Sequence, residues 1–262
     1  MKCKICNKLS KEVFSAMILQ KYSIKYFHCE YCNFLQTEEP YWLEEAYSNP
    51  INISDTGYVQ RNLTLSKKVA LLLHFGFDSN GEFLDYAGGY GLFVRLMRDA
   101  GFDFYWADKY TSNLFATGFE YKTEDHYSAI TTFESFEHFV SPVDEINNLL
   151  KISKNIIFST ELLPNPIPRP EDWWYYGLEH GQHISFYSAM TLQFLAERYG
   201  LYYSCMGGLH IFSEKRLSIL LSYIVNLNKL GLHKYVLLRK GSKTWTDHLE
   251  LSKITEAQEV SE

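Results

Sequence analysis

Residues 83–108 read FLDYAGGYGLFVRLMRDAGFDFYWAD, running from Phe83 to Asp108. The stretch reads as strand, glycine turn, helix, strand. Phe83 and Leu84 form a short apolar run into Asp85. Gly88, Gly89 and Gly91 then let the backbone turn sharply and admit close approach. Leu92, Phe93, Leu96 and Met97 follow at helical spacing, so the turn opens onto a helix N-terminus. Gly101 closes that helix, and Phe104 to Ala107 make a second apolar strand ending in Asp108. A parallel sheet that binds a nucleotide at the carboxyl ends of its strands has these parts in this order.

The turn itself narrows the ligand. A dinucleotide fingerprint needs a small residue three positions after Gly91, and Val94 stands there. No G-K-[ST] follows, so the phosphate loop of nucleotide hydrolases is excluded. Asp85, Ala87, Gly89 and Gly91 instead spell acid-x-(G/A)-x-G-x-G. The chain resembles the class I S-adenosylmethionine (SAM) methyltransferases here, at their first motif. The resemblance implies an α/β fold: a doubly wound, Rossmann-like, seven-stranded mixed sheet. It implies cofactor contacts from Asp85, Tyr86, Ala87, Gly88, Gly89 and Gly91, with Asp108, flanked by Lys109, accepting from the ribose hydroxyls. A plain structural turn is the alternative.

With 262 residues the chain can bury one sizeable core and carry a small appendage. The net charge of -6 comes with no basic block, which announces no nucleic-acid surface. The 20 Tyr and 18 Phe suit a core and a flat-walled pocket. No apolar run reaches membrane-spanning length and no signal-peptide pattern follows Met1, so a soluble cytoplasmic protein is expected.

Four of the five cysteines fall in two C-x-x-C pairs, Cys3/Cys6 and Cys29/Cys32, separated by 22 residues. That spacing suits a four-thiolate zinc site, which leaves no open coordination position and is structural. Disulfides or free thiols are the alternatives, and the missing secretory signal disfavours disulfides. His28 is a competing ligand or a residue on the knuckle surface. Cys205, in an apolar segment, reads as buried. The expected organisation is a zinc module over 1–38, a helical linker or lid over 39–78, a methyltransferase domain over 79–213 and a helical extension over 214–262.

Pro40 opens a short helix that Asn49-Pro50 stops. A second helix runs from Val59 through Leu72 and Leu73 to Gly76. The polar run from Asp55 leads into it, and Tyr58, Arg61 and Asn62 are either lid residues near cofactor and substrate or a solvated face. A third strand is expected over 114–119. Tyr127 to Phe133 reads as the fourth. By resemblance, Phe133 and Glu134 then lie near the methyl-donating sulfur, and Glu137-His138 starts the next helix rather than holding a metal. Pro142 reads as a stop.

Asn155 to Thr160 is a buried strand, with Glu161 at its carboxyl end. Residues 162–187 carry no clear element yet are rich in aromatics, which predicts a substrate wall from Trp173, Trp174, Tyr175 and Tyr176, or a set of loop anchors. Glu179 to Ser188 resembles the (E/Q)-H-x-x-x-(F/Y)-S segment of bacterial sugar C-methyltransferases, which also begin with a four-cysteine zinc module. That resemblance implicates His183 as the base, with His180 and Glu161 behind it. Gln182 departs from the glutamate usual there, and the large C-terminal domain of those enzymes has no counterpart. Ser188 caps the following helix. Leu201 to Met206, Gly207-Gly208 and Leu209 to Ser213 form a hairpin, and the apolar stripe from Leu217 to Leu227 suits packing or a dimer face.

The expected activity is SAM-dependent methylation of a small molecule, with a nucleotide-linked sugar or polysaccharide precursor as the candidate acceptor. The rivals are a nucleic-acid or protein methyltransferase and a non-catalytic SAM-binding module. The expected partners are the small acceptor alone, without nucleic acid or membrane, in a monomer or homodimer.

Overall fold

A computed structural model describes residues 1–48, 56–123 and 126–259, the last six as backbone only. The expected helix stop at Asn49-Pro50 and the start of the polar run at Asp55 lie outside the described residues. In chain order the strands and α-helices are β1 (Lys11–Ile18), β2 (Tyr22–Cys29), β3 (Phe34–Thr37), α1 (Leu43–Ala46), α2 (Tyr58–Gly76), β4 (Glu82–Tyr86), α3 (Leu92–Asp99), β5 (Asp103–Ala107), β6 (Tyr127–Phe133), α4 (Pro142–Ile152), β7 (Ile156–Ser159), β8 (Ser185–Phe186), α5 (Ala189–Arg198), β9 (Tyr202–Met206), β10 (Leu209–Ser213), α6 (Ile219–Asn226), α7 (His233–Lys240) and α8 (Thr244–Glu259). The larger sheet has six strands in the order β5-β4-β6-β7-β10-β9. Strand β4 pairs in parallel with β5 and β6, and β10 pairs antiparallel with β7 and β9. This is the expected α/β architecture. Among the described residues, no helix is long and apolar enough to cross a membrane.

The seventh strand does not form. The segment over 114–119 spends its polar groups locally: Asn113 Oδ1 accepts from the Ala116 N–H, Thr117 Oγ1 donates to the Asn113 carbonyl, and Glu120 accepts from the Gly118 N–H. Such bonds compete with a strand ladder. What is left is a single parallel bridge, Trp106 to Glu120, on the outer side of β5.

The chain divides into two compact units, one of Met1–Asp55 with Thr132–Arg216, the other of Thr56–Thr131 with Leu217–Glu262. In the second unit, Phe83, Leu84 and Asp85 of β4 are all buried, as a strand covered on both faces requires. Helix α3 turns Phe93, Val94 and Met97 inward. It ends before Gly101, whose φ of 88° only glycine adopts readily, and a Cβ there would stand 2.2 Å from the Gly241 carbonyl oxygen. Leu65, Val69, Leu72 and Leu73 line the buried face of α2. Helix α8 is fastened to α3 by a buried ion pair. Arg98 Nε and Nη2 donate to the two oxygens of Asp247 at 2.8 and 2.7 Å, and Arg95 adds a third bond at 2.9 Å.

The first unit holds a second, antiparallel sheet, β1-β2-β3-β8. Its last strand comes from the segment expected to be irregular: Phe186 pairs with Leu35 and Ser185 with Gln36. Two 3-10 turns, Pro170–Asp172 and Trp174–Tyr176, tighten the rest. Trp173, Tyr175 and Tyr176 pack with Ile18, Ile24, Tyr26 and Trp42 into one core. Of the expected aromatic wall, Trp173 and Tyr176 are therefore interior anchors in the core of the small β-sheet. Trp174, at 76% exposure, remains a surface residue.

Two local expectations are also corrected. Pro142 opens α4 at its first position, where its missing N–H costs nothing, instead of stopping a helix. Cys205 is exposed because β9 is an edge strand whose cysteine faces outward. The Ser188 cap forms as a reciprocal pair with Thr191, and Gly207-Gly208 makes the β9–β10 turn.

Removing one partner of a buried ion pair strands the other charge, so Asp247→Ala is expected to cost about 3–5 kcal/mol in urea unfolding, with Arg98→Met/Asp247→Leu recovering most of it.

Candidate functional site

In the second unit the chain leaves β4 through Ala87, Gly89 and Gly91 with φ of 58°, 55° and 83°. This left-handed run is strained for Ala87 and free for the glycines. A Cβ on Gly88 would stand 2.8 Å from Asp85 Oδ2, so that position must be bare. The Gly89 carbonyl accepts from Trp106 Nε1 at 2.8 Å and Thr111 Oγ1 at 2.7 Å, which pins the turn from below.

Asp108 is the hub of this turn. Its Oδ2 accepts from the Gly89 N–H at 3.0 Å, and its Oδ1 accepts from the Tyr110 and Thr111 N–H groups at 2.7 and 2.9 Å. Oδ1 is saturated by those two bonds, while Oδ2 retains one lone pair for a ligand hydroxyl. Lys109 is exposed, with its ammonium over the Tyr110 ring. Tyr86 is half-buried beside the turn in sequence. Tyr58, at the start of α2, brings its hydroxyl to 3.1 Å from where a Gly89 Cβ would be. It is thus a cover residue of the turn, and burial raises its pKa. Arg61 is half-buried one helical turn on, and its charge opposes that rise. Asn62 donates its side-chain amide to the Tyr58 carbonyl at 2.8 Å and so holds the first turn of α2. A bare left-handed turn under a tyrosine, with a carboxylate at the next strand end, fits a nucleoside.

Asp85 is wholly buried. Burial pushes its carboxyl up to about 7, against the bond it accepts from Thr131 Oγ1 at 2.6 Å and with added repulsion from Asp108.

The first unit gathers a second set of groups. At the end of β6, Phe133 is half-buried and Glu134 has a φ of 49°, unusual for a residue with a Cβ. The Glu134 N–H donates to Ser159 Oγ at 3.0 Å, and that hydroxyl donates back to Glu134 Oε1. Three residues on, Glu137 lies in a 3-10 turn, Phe136–His138, well ahead of α4. The helix-start reading of Glu137 is thereby overturned: Pro142 begins the helix, and Glu137 points inward at 0% exposure. Burial first, then the Glu134 charge, push the Glu137 carboxyl up to about 8.

Glu137, His138 and His183 bring one ligand atom each within 4.8 Å of one another. His183 Nδ1 donates to the Tyr175 carbonyl at 2.7 Å. Its ring is 5.0 Å from His138, 4.7 Å from His180 and 4.6 Å from Tyr175, centroid to centroid. Burial and then the neighbouring imidazoles hold His183 well below the usual histidine range, and burial takes His138 down to about 4. Both rings are neutral near pH 7. Of the expected catalytic residues, the structure brings His183 and His180 together. Glu161 is exposed past the end of β7, and the groups contacting the His183 ring are His138, His180 and Tyr175. The sequence reading missed Glu137 and His138 as partners of His183. Their adjacency in the chain was visible, but their distance from residue 183 closes only in the tertiary fold.

The cysteine pairs converge, with Cys3 and Cys32 Sγ at 3.5 Å and Cys6 and Cys29 Sγ at 3.4 Å. Each pair closes a matching knuckle: Asn7 and Asn33, four residues after the first cysteine of each, both take left-handed φ, of 61° and 57°. Their N–H groups donate to the Cys3 and Cys29 carbonyls. The Ile5 N–H points at Cys3 Sγ. Four converging sulfurs on paired knuckles fit a tetrahedral thiolate-bound ion. His28 is hydrogen-bonded to Asn33 at 2.7 Å and stays out of this set.

A carboxyl with a raised folded pKa takes up a proton on folding, so its contribution is greatest at acid pH and is lost as pH rises. Wild-type stability is expected to fall relative to Asp85→Asn between about pH 4 and pH 7, by on the order of a few kcal/mol, read from urea midpoints across that range.

Residues 58–205 match the model of a methyltransferase domain family. Among solved structures, the plantazolicin methyltransferase BpumL in complex with SAH is 15% identical, with a TM-score of 0.47, covering 78% of this chain and 90% of that one. CalO1, a methyltransferase in calicheamicin biosynthesis in its SAH-bound form, is 16% identical with a TM-score of 0.43, covering 64% and 59%. The magnesium protoporphyrin IX methyltransferase ChlM from Synechocystis PCC 6803 with bound SAM is 13% identical with a TM-score of 0.37, covering 66% and 90%. No curated protein matches. The family match spans more than half of the chain and contains the glycine turn, Asp108 and the Glu137–His138–His183 cluster, and on that match the chain belongs to the methyltransferase domain family.

Proposed function

We propose that this protein transfers a methyl group from SAM to a small-molecule acceptor, with a hydroxyl-bearing sugar precursor as the acceptor class. The observation that carries the cofactor reading is the hub at Asp108, which shapes the left-handed turn through Gly89 and keeps one oxygen lone pair for a ribose hydroxyl. Asp85, Tyr86, Ala87, Gly88, Gly89 and Gly91 form the wall of the cofactor crevice, Tyr58 covers it, and Lys109 flanks it. Bound SAM supplies an electrophilic methyl on a sulfonium. Everything else falls to the chain: position the acceptor, exclude water and remove the acceptor's proton.

The proton-removing centre in this reading is the Glu137–His138–His183 cluster. His183 presents an imidazole already oriented through Nδ1, the arrangement that fixes the tautomer and leaves Nε2 as the working nitrogen. His180 supports that ring by edge contact. Glu161, Arg61 and Trp174 stay as acceptor-contact candidates, since Glu161 and Trp174 are exposed and Arg61 is partly so. Net acidity and the resemblance of residues 179–188 to sugar C-methyltransferases support a small acceptor over a nucleic acid. The four cysteines hold a structural zinc ion whose closed shell keeps it out of the chemistry.

Asp108→Ala is expected to weaken SAM at least tenfold in calorimetric titration, and an unchanged affinity would count against the crevice. His183→Ala is expected to retain SAM affinity while turnover on a pool of sugar nucleotides, read as SAH release, drops about 100-fold or more. Elemental analysis is expected to find zinc in the wild type and to lose the cysteine-bound ion in Cys3→Ser/Cys29→Ser.

A further inference from the structure

We propose that Glu137, His138 and His183 bind one divalent transition-metal ion, at a site distinct from the cysteine knuckles. Glu137 is the starting point. Its side chain is fully buried, and neither carboxylate oxygen has a hydrogen-bond partner among the described residues. The Tyr175 and Thr160 hydroxyls lie close enough to favour its charged form, but they bond each other at 3.1 Å, which commits one of their two hydrogens, and neither meets a carboxylate oxygen in hydrogen-bonding geometry. No lysine or arginine pairs with it among the described residues. A folded chain rarely leaves two acceptor atoms of one buried carboxylate unmet, and a bound ion is among the standard explanations.

The two imidazoles are arranged to complete such a site. His183 Nδ1–H is committed to the Tyr175 carbonyl at 2.7 Å. His138 Nδ1 faces the Gln182 carbonyl at 3.2 Å and the Tyr47 hydroxyl at 2.9 Å. A carbonyl can only accept, so His183 carries its proton on Nδ1 and a lone pair on Nε2, and the Gln182 carbonyl favours the same tautomer for His138. Anchoring one ring nitrogen on a backbone carbonyl is how proteins orient a metal-ligating histidine. One ligand atom from each of the three residues lies within 4.8 Å of the other two. Two nitrogens and one carboxylate oxygen suit zinc, cobalt or iron and are too few and too nitrogenous for calcium or magnesium.

Three protein ligands leave a coordination position open. Resting on the function proposed above, that position would take an acceptor oxygen: the ion would lower the pKa of a hydroxyl bound there, whose proton would pass to water.

The test uses whole protein with its cysteine-bound zinc retained, titrated with cobalt(II) and followed by calorimetry and visible absorption. One equivalent is expected to bind the wild type, with d–d bands and without thiolate charge-transfer bands. Glu137→Gln and His183→Ala are expected to weaken it at least tenfold while melting as wild type does. Variants that bind cobalt as the wild type does, or bands of thiolate character only, would overturn the proposal. If the wild type binds no cobalt yet transfers methyl groups and His183→Ala does not, the metal falls and the methyltransferase reading stands with His183 as a direct base. If cobalt binds but SAM does not, the site stands and that reading falls.

Discussion

One carboxylate, that of Asp108, gathers three backbone N–H groups and so holds open the turn on which the cofactor reading rests. Gly89 comes from the β4 turn, while Tyr110 and Thr111 come from the loop after β5. A carboxylate that accepts several N–H bonds is favoured in its charged form and in one position. The strained φ of Ala87 persists because the surrounding bonds over-determine it: Asp108 from one side, Trp106 and Thr111 from the other. The vacant volume at Gly88 follows from the same geometry, since Asp85 already fills the space where a side chain would go.

Asp85 and Glu137 are a matched pair of problems in the two units. Both are fully buried carboxyls at or after the carboxyl end of a central strand, and in both burial is the leading influence. Asp85 has a hydroxyl donor, Thr131, one strand away. Glu137 has two hydroxyl neighbours, Tyr175 and Thr160, that bond each other and leave both carboxylate oxygens without a partner in hydrogen-bonding geometry. The first is a satisfied structural group beside a turn. The second is an unmet group beside two oriented imidazoles, which is why chemistry is assigned to it.

The sheet was legible because its inner strands are buried along most of their length and read as short apolar runs. Tyr127–Phe133 and the glycine-turned hairpin β9–β10 fall where alternation and turn residues put them. The third strand failed as an expectation because 114–119 has the apolar content of a strand, while Asn113 and Glu120 at its edges capture the backbone groups it would need. Aromatic density at 173–176 was read as a wall since composition cannot tell a surface that meets ligand from one that meets the small sheet. The pairing of Ser185 and Phe186 with β3 decides it.

By itself the sequence determined whatever is carried by neighbours in the chain: the glycine turn between two strands, the carboxylate that follows, the paired C-x-x-C knuckles, and the helix caps. These depend on backbone conformations and short spacings that a residue type imposes locally. Only the tertiary structure decided which distant groups share a site. Glu137 and His183 are far apart in the chain and acquire their meaning from burial and from the Tyr175 carbonyl that orients one ring. Burial and orientation of that kind are properties of the packed core, and no window of sequence contains them.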